Sequence, residues 1–89
     1  MKAVITVVGS DSVGILAAVA DACAKRKINI EEVTQSILGG TFAMIMVVDL
    51  SKCDADFETV QSELAAAGTL KGVDVKITRR ELYDTMHRI

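Results

Sequence analysis

Gly9-Ser10-Asp11-Ser12-Val13-Gly14 is the stretch of this chain whose residue types could do chemistry. Two glycines, one carboxylate and two hydroxyls sit between an apolar run, Ala3 to Val8, and an alanine-rich run with helical spacing. A strand that stops at such a loop and restarts as a helix leaves backbone N–H groups open at the helix start, where an anion can sit. Asp11 adds a negative charge beside those donors. A loop offering both signs suits a zwitterion such as a free amino acid. The same residues also have plainer uses. Ser10, Asp11 or Ser12 suits a helix N-cap, and Gly9 and Gly14 suit backbone relief.

The other reactive side chains do not assemble into a recognisable site. Cys23 and Cys53 are isolated, form no C-x-x-C, and lie far in sequence from the single His87. No zinc site, cofactor site or disulfide framework is expected from them. One histidine near the C-terminus leaves no Ser-His-Asp or Cys-His set. Acylphosphatases share this size and topology, but they hold phosphate with an arginine in the loop after the first strand, and Ser10 to Val13 offers none. Met44 and Met46 are expected in packing. Lys25-Arg26-Lys27 reads as a solvated helix end, and His87 as a solvated tail residue.

Composition narrows the function further. The chain has 89 residues, about half of them apolar, with a formal net charge of −2. That suits one small domain with a core of its own. There is no basic excess for nucleic acid. Phe42, Phe57 and Tyr83 are the only aromatics, too few for a base-stacking platform. No apolar run reaches the roughly 20 residues of a membrane span. The N-terminus shows no signal-peptide pattern, and a cytoplasmic location with reduced thiols is expected.

The elements that must position the loop follow from periodicity. Ala3 to Val8 is β-branched nearly throughout and reads as a buried central strand. A helix is predicted over about 13–27, with Ile15, Leu16, Val19, Ala22 and Cys23 on one stripe and Asn29 as the left-handed residue that ends it. Ile30 to Leu38 is rich in polar residues and suits an edge strand. Gly39-Gly40 is a hairpin signal. Thr41 to Leu50 is apolar on both faces, Phe42, Met44, Met46 and Val48 pointing one way and Ala43, Ile45 and Val47 the other. Capping residues in Ser51 to Asp54 precede a second helix, which buries Phe57, Val60 and Leu64 and stops at Gly68. Val73 to Arg79 alternates, with Val73, Val75 and Ile77 inward. Leu82, Met86 and Ile89 recur at helical spacing in a short C-terminal helix that needs a surface to dock on.

The order β-α-β-β-α-β predicts an α+β fold, a ferredoxin-like sandwich. Its four-stranded antiparallel sheet has the strand order 4-1-3-2, with both helices on one face. Residues 1–80 form the domain and 81–89 a helical extension. The first and third strands are apolar on both faces, so the second face needs a cover. A homodimer is expected, through that face or through the edge of the second strand.

Gly9-x-Asp11-x-x-Gly14-Ile15-Leu16 followed by Asn29-Ile30, in this element order, resembles the ACT domain family over about residues 3–80. The chain looks most like small stand-alone ACT proteins of bacteria and archaea. It is also similar to the ACT domains of the glycine-cleavage-system repressor and of formyltetrahydrofolate deformylase. Two positions depart from the family: Val13 stands where many members have proline, and Gly9 where some amino-acid binders carry a contacting side chain.

The resemblance implies a regulatory module with a ligand site between subunits. In such a site the loop of one chain faces the start of the second strand of its neighbour. Asp11 would meet the ligand's ammonium group. Backbone N–H groups around Ser12, Val13, Gly14 and Ile15 would meet its carboxylate, with Gly9 and Ser10 beside them. Asn29, next to Ile30, would donate to and accept from the same ligand. Output would pass to an unidentified protein partner. The competing functions are a structural interaction module without a ligand and, less favoured, a small enzyme.

Overall fold

A computed structural model of the chain describes residues 1–10 and 14–86. The elements are β1 (Lys2–Ser10), α1 (Ile15–Lys25), β2 (Asn29–Leu38), β3 (Thr41–Asp49), α2 (Phe57–Lys71), β4 (Val73–Arg79) and α3 (Arg80–Met86). The sheet runs β2-β3-β1-β4 with every neighbouring pair antiparallel. This is the expected ferredoxin-like order read from the other edge.

The two central strands each present an apolar row to the helices. Ala3, Ile5 and Val7 of β1 lie beside Val48, Met46 and Met44 of β3 and beside Ile77 and Val75 of β4. All are buried, together with Ile15, Val19 and Cys23 of α1 and Val60 and Leu64 of α2. One face of the sheet therefore carries α1 and α2 over a single core. Leu16, expected in that core, is instead 40% exposed on a flank of α1.

Both ends of α1 differ from expectation. Its N-cap is Gly14, at φ 82°, with no side-chain hydrogen bond to the cap. The helix starts at Ile15 because Gly14 adopts the left-handed turn into it without a Cβ penalty, and the Gly14 carbonyl takes the first helical bond, from Ala18 N, at 2.9 Å. The cap position thus falls on Gly14 and not on Ser10, while Asp11 and Ser12 lie outside the described residues. At the other end the left-handed residue is Lys27, at φ 60°, and Asn29 opens β2. Ile28 N donates to Cys23 O at 2.9 Å and Lys27 N to Ala24 O at 3.1 Å. That pair of bonds is a Schellman ending, with Ile28 as its apolar anchor. Ile28 is buried, so its place in the core fixes the turn although the residue before it is not glycine.

Arg26 is no solvated end. Its Nε donates to Glu63 Oε1 at 2.7 Å and its Nη2 to Glu63 Oε2 at 2.5 Å, and Asp54 lies 3.7 Å from Nη1. This two-pronged pair joins α1 to α2. The bond from Arg26 holds the Glu63 carboxyl below its usual range and raises the guanidinium further.

The second helix begins at Asp56, whose side chain accepts from Thr59 N at 2.8 Å. That bond holds the Asp56 carboxyl below its ordinary range. The helix does not stop at Gly68. It runs on to Lys71 and ends on Gly72 at φ 72°, while Gly68 is buried against β4.

On the other face of the sheet, α3 packs on β1 and β4 and Val4 is buried. Val8 and Ile45 on that face are 47% and 40% exposed. Leu82 of the C-terminal stripe is mostly exposed and Tyr83 half-buried. His87, Arg88 and Ile89 lie outside the described residues.

Candidate functional site

The loop between β1 and α1 follows a close approach of two strands at Gly9. Gly9 pairs with Phe42 on one side and Val73 on the other. A Cβ on Gly9 would lie 2.7 Å from Val73 Cγ1, so this glycine is required by the packing of β1 against β4. Ser10 is exposed, opposite Thr41 at the end of the sheet. Gly14 is exposed, and Ile15 buries its side chain in the core, which leaves its backbone N–H as its polar group at the site. Asp11, Ser12 and Val13 lie outside the described residues.

Electrostatically this corner is a helix start without a counter-charge among the described residues. The α1 cap makes no side-chain bond, and no acidic residue occupies the first turn. The first turn's N–H groups therefore keep their partial positive charge. Lys71, at the end of α2, brings its Nζ within 3.8 Å of the point a Gly14 Cβ would occupy. The sequence gives no sign of this lysine's role, because only the antiparallel packing of α2 on α1 carries it to the loop.

Asn29 and Ile30 are elsewhere. Along the ladder Ser10 is level with Thr41 and Leu38, whereas Lys2 is level with Asp49 and Asn29. Eight residues at about 3.3 Å each separate the two levels by roughly 26 Å. Asn29 lines a small polar hollow with Lys27, Asp49, Ser51 and Lys52. The Asp49 carboxylate there accepts from Ser51 N at 3.0 Å, which holds it below its usual range. Ile30 is half-buried against the core. One chain thus brings Gly9, Ser10, Gly14 and Ile15 together and holds Asn29 and Ile30 at the opposite end.

The free edge of β2 carries an unexpected apolar strip. Val33 lies opposite Met46 and Ile37 opposite Phe42, so both face the helix side of the sheet. Their partners are buried, yet Val33 is 43% and Ile37 59% exposed. Leu16 is exposed on the flank of α1 turned away from α2, since Ala18, Asp21, Ala22 and Lys25 line the groove that α1 forms with α2. The polar composition that marks β2 as an edge strand gives no sign of these two exposed apolar residues.

Burial pushes the Cys23 thiol up to about 11, and the half-buried Cys53 thiol donates to Ala55 O at 3.5 Å. Among the described residues no three His, Cys, Asp or Glu side chains gather as a metal site, and no helix is long and apolar enough to cross a membrane.

Four antiparallel strands in this order with two helices on one face define a ferredoxin-like α+β sandwich, here with a glycine-started first helix. The chain belongs to the ACT domain family, whose sequence profile matches residues 2–78. It is 42% identical over 89 residues to a UPF0237 protein of Listeria monocytogenes serotype 4b, with the full length of both chains covered. An ACT domain protein from Streptococcus pneumoniae superposes with a TM-score of 0.82 at 36% identity, over 94% of each chain. A formyltetrahydrofolate deformylase from Pseudomonas syringae matches at a TM-score of 0.77 and 21% identity, over 88% of this chain and 27% of that one. At that identity the likeness is one of fold.

Proposed function

We propose that the protein is a non-catalytic sensor whose dimer binds a free amino acid at two sites, each shared between the subunits, and signals through a partner protein. ACT domains are in general regulatory modules that bind small molecules. The observation that carries the reading to this chain is the start of α1. Its cap on Gly14 is open and its first turn holds no acidic residue among those described, so its N–H groups suit a carboxylate. Asp11 takes the ammonium group, and Ser12 and Val13 complete the loop beside Gly9, Ser10, Gly14 and Ile15.

The dimer forms through β2. Two copies pairing their β2 edges antiparallel would cover Leu16, Val33 and Ile37 of each. The same pairing carries Asn29 and Ile30 of the partner toward the Ser10 end of the first copy, because antiparallel strands set start against end. The 26 Å offset along the strands is then removed between two chains, leaving three strand spacings of about 4.8 Å across the sheet from β1 to the partner's β2. Residues 1–80 are the sensing domain and 81–89 a C-terminal extension. Free thiols at Cys23 and Cys53 fit a cytoplasmic setting.

The test is a thermal-shift screen of the purified protein against the twenty amino acids. A ligand at about 100 times its dissociation constant adds roughly 2.7 kcal/mol of stability. One or more amino acids are expected to raise the melting temperature, and Asp11→Ala is expected to abolish the rise while the variant still folds. No rise at millimolar concentration of any amino acid contradicts the sensor and favours an interaction module without a ligand.

A further inference from the structure

Strand β4 is an edge of the sheet, bonded to β1 on one side and to no other strand among the described residues. Such an edge presents a row of unpaired N–H and C=O groups to any strand that can match it. Along it Val73-Asp74-Val75-Lys76-Ile77 alternates apolar and charged residues symmetrically about Val75, with charges of opposite sign. Val73, Val75 and Ile77 are buried on the helix side. Asp74 and Lys76 are exposed on the other face, level with Val8 and Thr6 of β1. They pair with each other at 3.7 Å. A second copy running antiparallel along this edge finds one good register. Residues across a ladder share a face, so helices stay on one side only when odd positions meet odd positions. With Val75 on the twofold axis, Asp74 lies across from the partner's Lys76 and Lys76 across from the partner's Asp74. A slip of two residues either way sets Asp74 against the partner's Asp74, or Lys76 against the partner's Lys76, and like charges directly opposite are unfavourable.

We propose that β4 is a self-association edge whose occupant is a second copy of this chain, paired antiparallel about Val75 and held in register by two Asp74–Lys76 pairs across the joint. The proposal goes beyond the sensor reading and does not depend on it. Because β2 and β4 are opposite edges of the sheet, one chain can use both, and pairs joined through β2 extend end to end. The β4 edge has no exposed apolar strip such as Val33 and Ile37 give β2, so it is the weaker contact and forms at higher protein concentration. Charged residues on a sheet edge also serve to block pairing, and that role makes a different prediction. It leaves association unchanged, or increases it, when either charge is reversed.

The experiment is sedimentation velocity over a concentration series on wild type, Asp74→Lys, Lys76→Asp and the reversal that combines both changes. Each is also made with Val33→Glu and Ile37→Glu, which remove the β2 contact and leave β4 as the edge under test. Wild type is expected to form species larger than the β2 pair at high concentration, and the chain without the β2 contact is expected to form a dimer there. Either single change sets like charges across both halves of the joint and should weaken this step at least about tenfold. The reversal restores opposite charges in the same register and should return the step to within about twofold of wild type. Raised salt should weaken the step in wild type and in the reversal. Both side chains are exposed, so all four proteins are expected to melt alike. The absence of any step beyond the β2 pair, single changes that associate as wild type does, or a reversal that fails to restore the step each overturns the β4 joint and leaves the amino-acid site untouched.

Discussion

Gly68→Ala lowers the stability of the protein by about 2 kcal/mol, against the usual sign for this substitution inside a helix. In an exposed helix, alanine gains roughly 1 kcal/mol over glycine. Here a Cβ on Gly68 would lie 2.6 Å from Val75 Cγ2 and 2.8 Å from the Val73 carbonyl oxygen. The carbonyl cannot retreat freely, because Val73 is paired with Gly9 across the β1–β4 ladder. Val73 is thus pressed between two glycines, one on the helix and one on the neighbouring strand. Overpacking of a formed core costs about 1–3 kcal/mol, and backbone on one side of the contact puts this case at the upper end. For a chain of this size a net loss of about 2 kcal/mol lowers the melting temperature by roughly 10 °C. Thermal and urea unfolding of the variant check it. An unchanged or raised melting temperature would mean that α2 stands farther from β4 than described.

Val33→Glu combined with Ile37→Glu is expected to convert the proposed β2-paired dimer to a monomer. In one chain both side chains are largely exposed, so the double variant folds as wild type does. In the β2-paired dimer each glutamate would be buried against apolar surface, and a buried unpaired charge is strongly unfavourable. The dissociation constant is expected to rise at least about 100-fold, equivalent to roughly 2.8 kcal/mol. Sedimentation velocity across a concentration series reads this directly. Ile45→Glu is the control, since Ile45 lies on the opposite face of the sheet and is also partly exposed. A dimer broken by Ile45→Glu and untouched by the double change would place the contact on the sheet face instead.

The architecture was legible because the sheet is built from rows with strict alternation. Phe42, Met44, Met46 and Val48, and Val73, Val75 and Ile77, separate inward from outward residues by period alone. What escaped were features decided by distant partners. Gly68 satisfies every local criterion for a helix stop, yet the approach of β4 makes it a contact glycine in mid-helix. Lys27 is a poor left-handed residue by local rules, and the burial of Ile28 outweighs them. Arg26 looked solvated until α2 supplied Glu63. Of the candidate site, the loop's glycine start was legible as a motif. The placement of Lys71 was not, because it depends on how two helices pack, and neither was the apolar strip on β2.

The most direct test of a site shared between subunits is complementation between two inactive variants. Asp11→Ala and Asn29→Ala are each purified, shown to have lost the amino-acid response, and then mixed and allowed to exchange subunits. In a mixed dimer one site receives both substitutions and the other receives neither. Calorimetry with the amino acid that gave the largest wild-type thermal shift should therefore recover one intact site per mixed dimer, with wild-type affinity. If subunits exchange and no binding returns, Asp11 and Asn29 do not meet across the interface, and the intersubunit sensor is wrong.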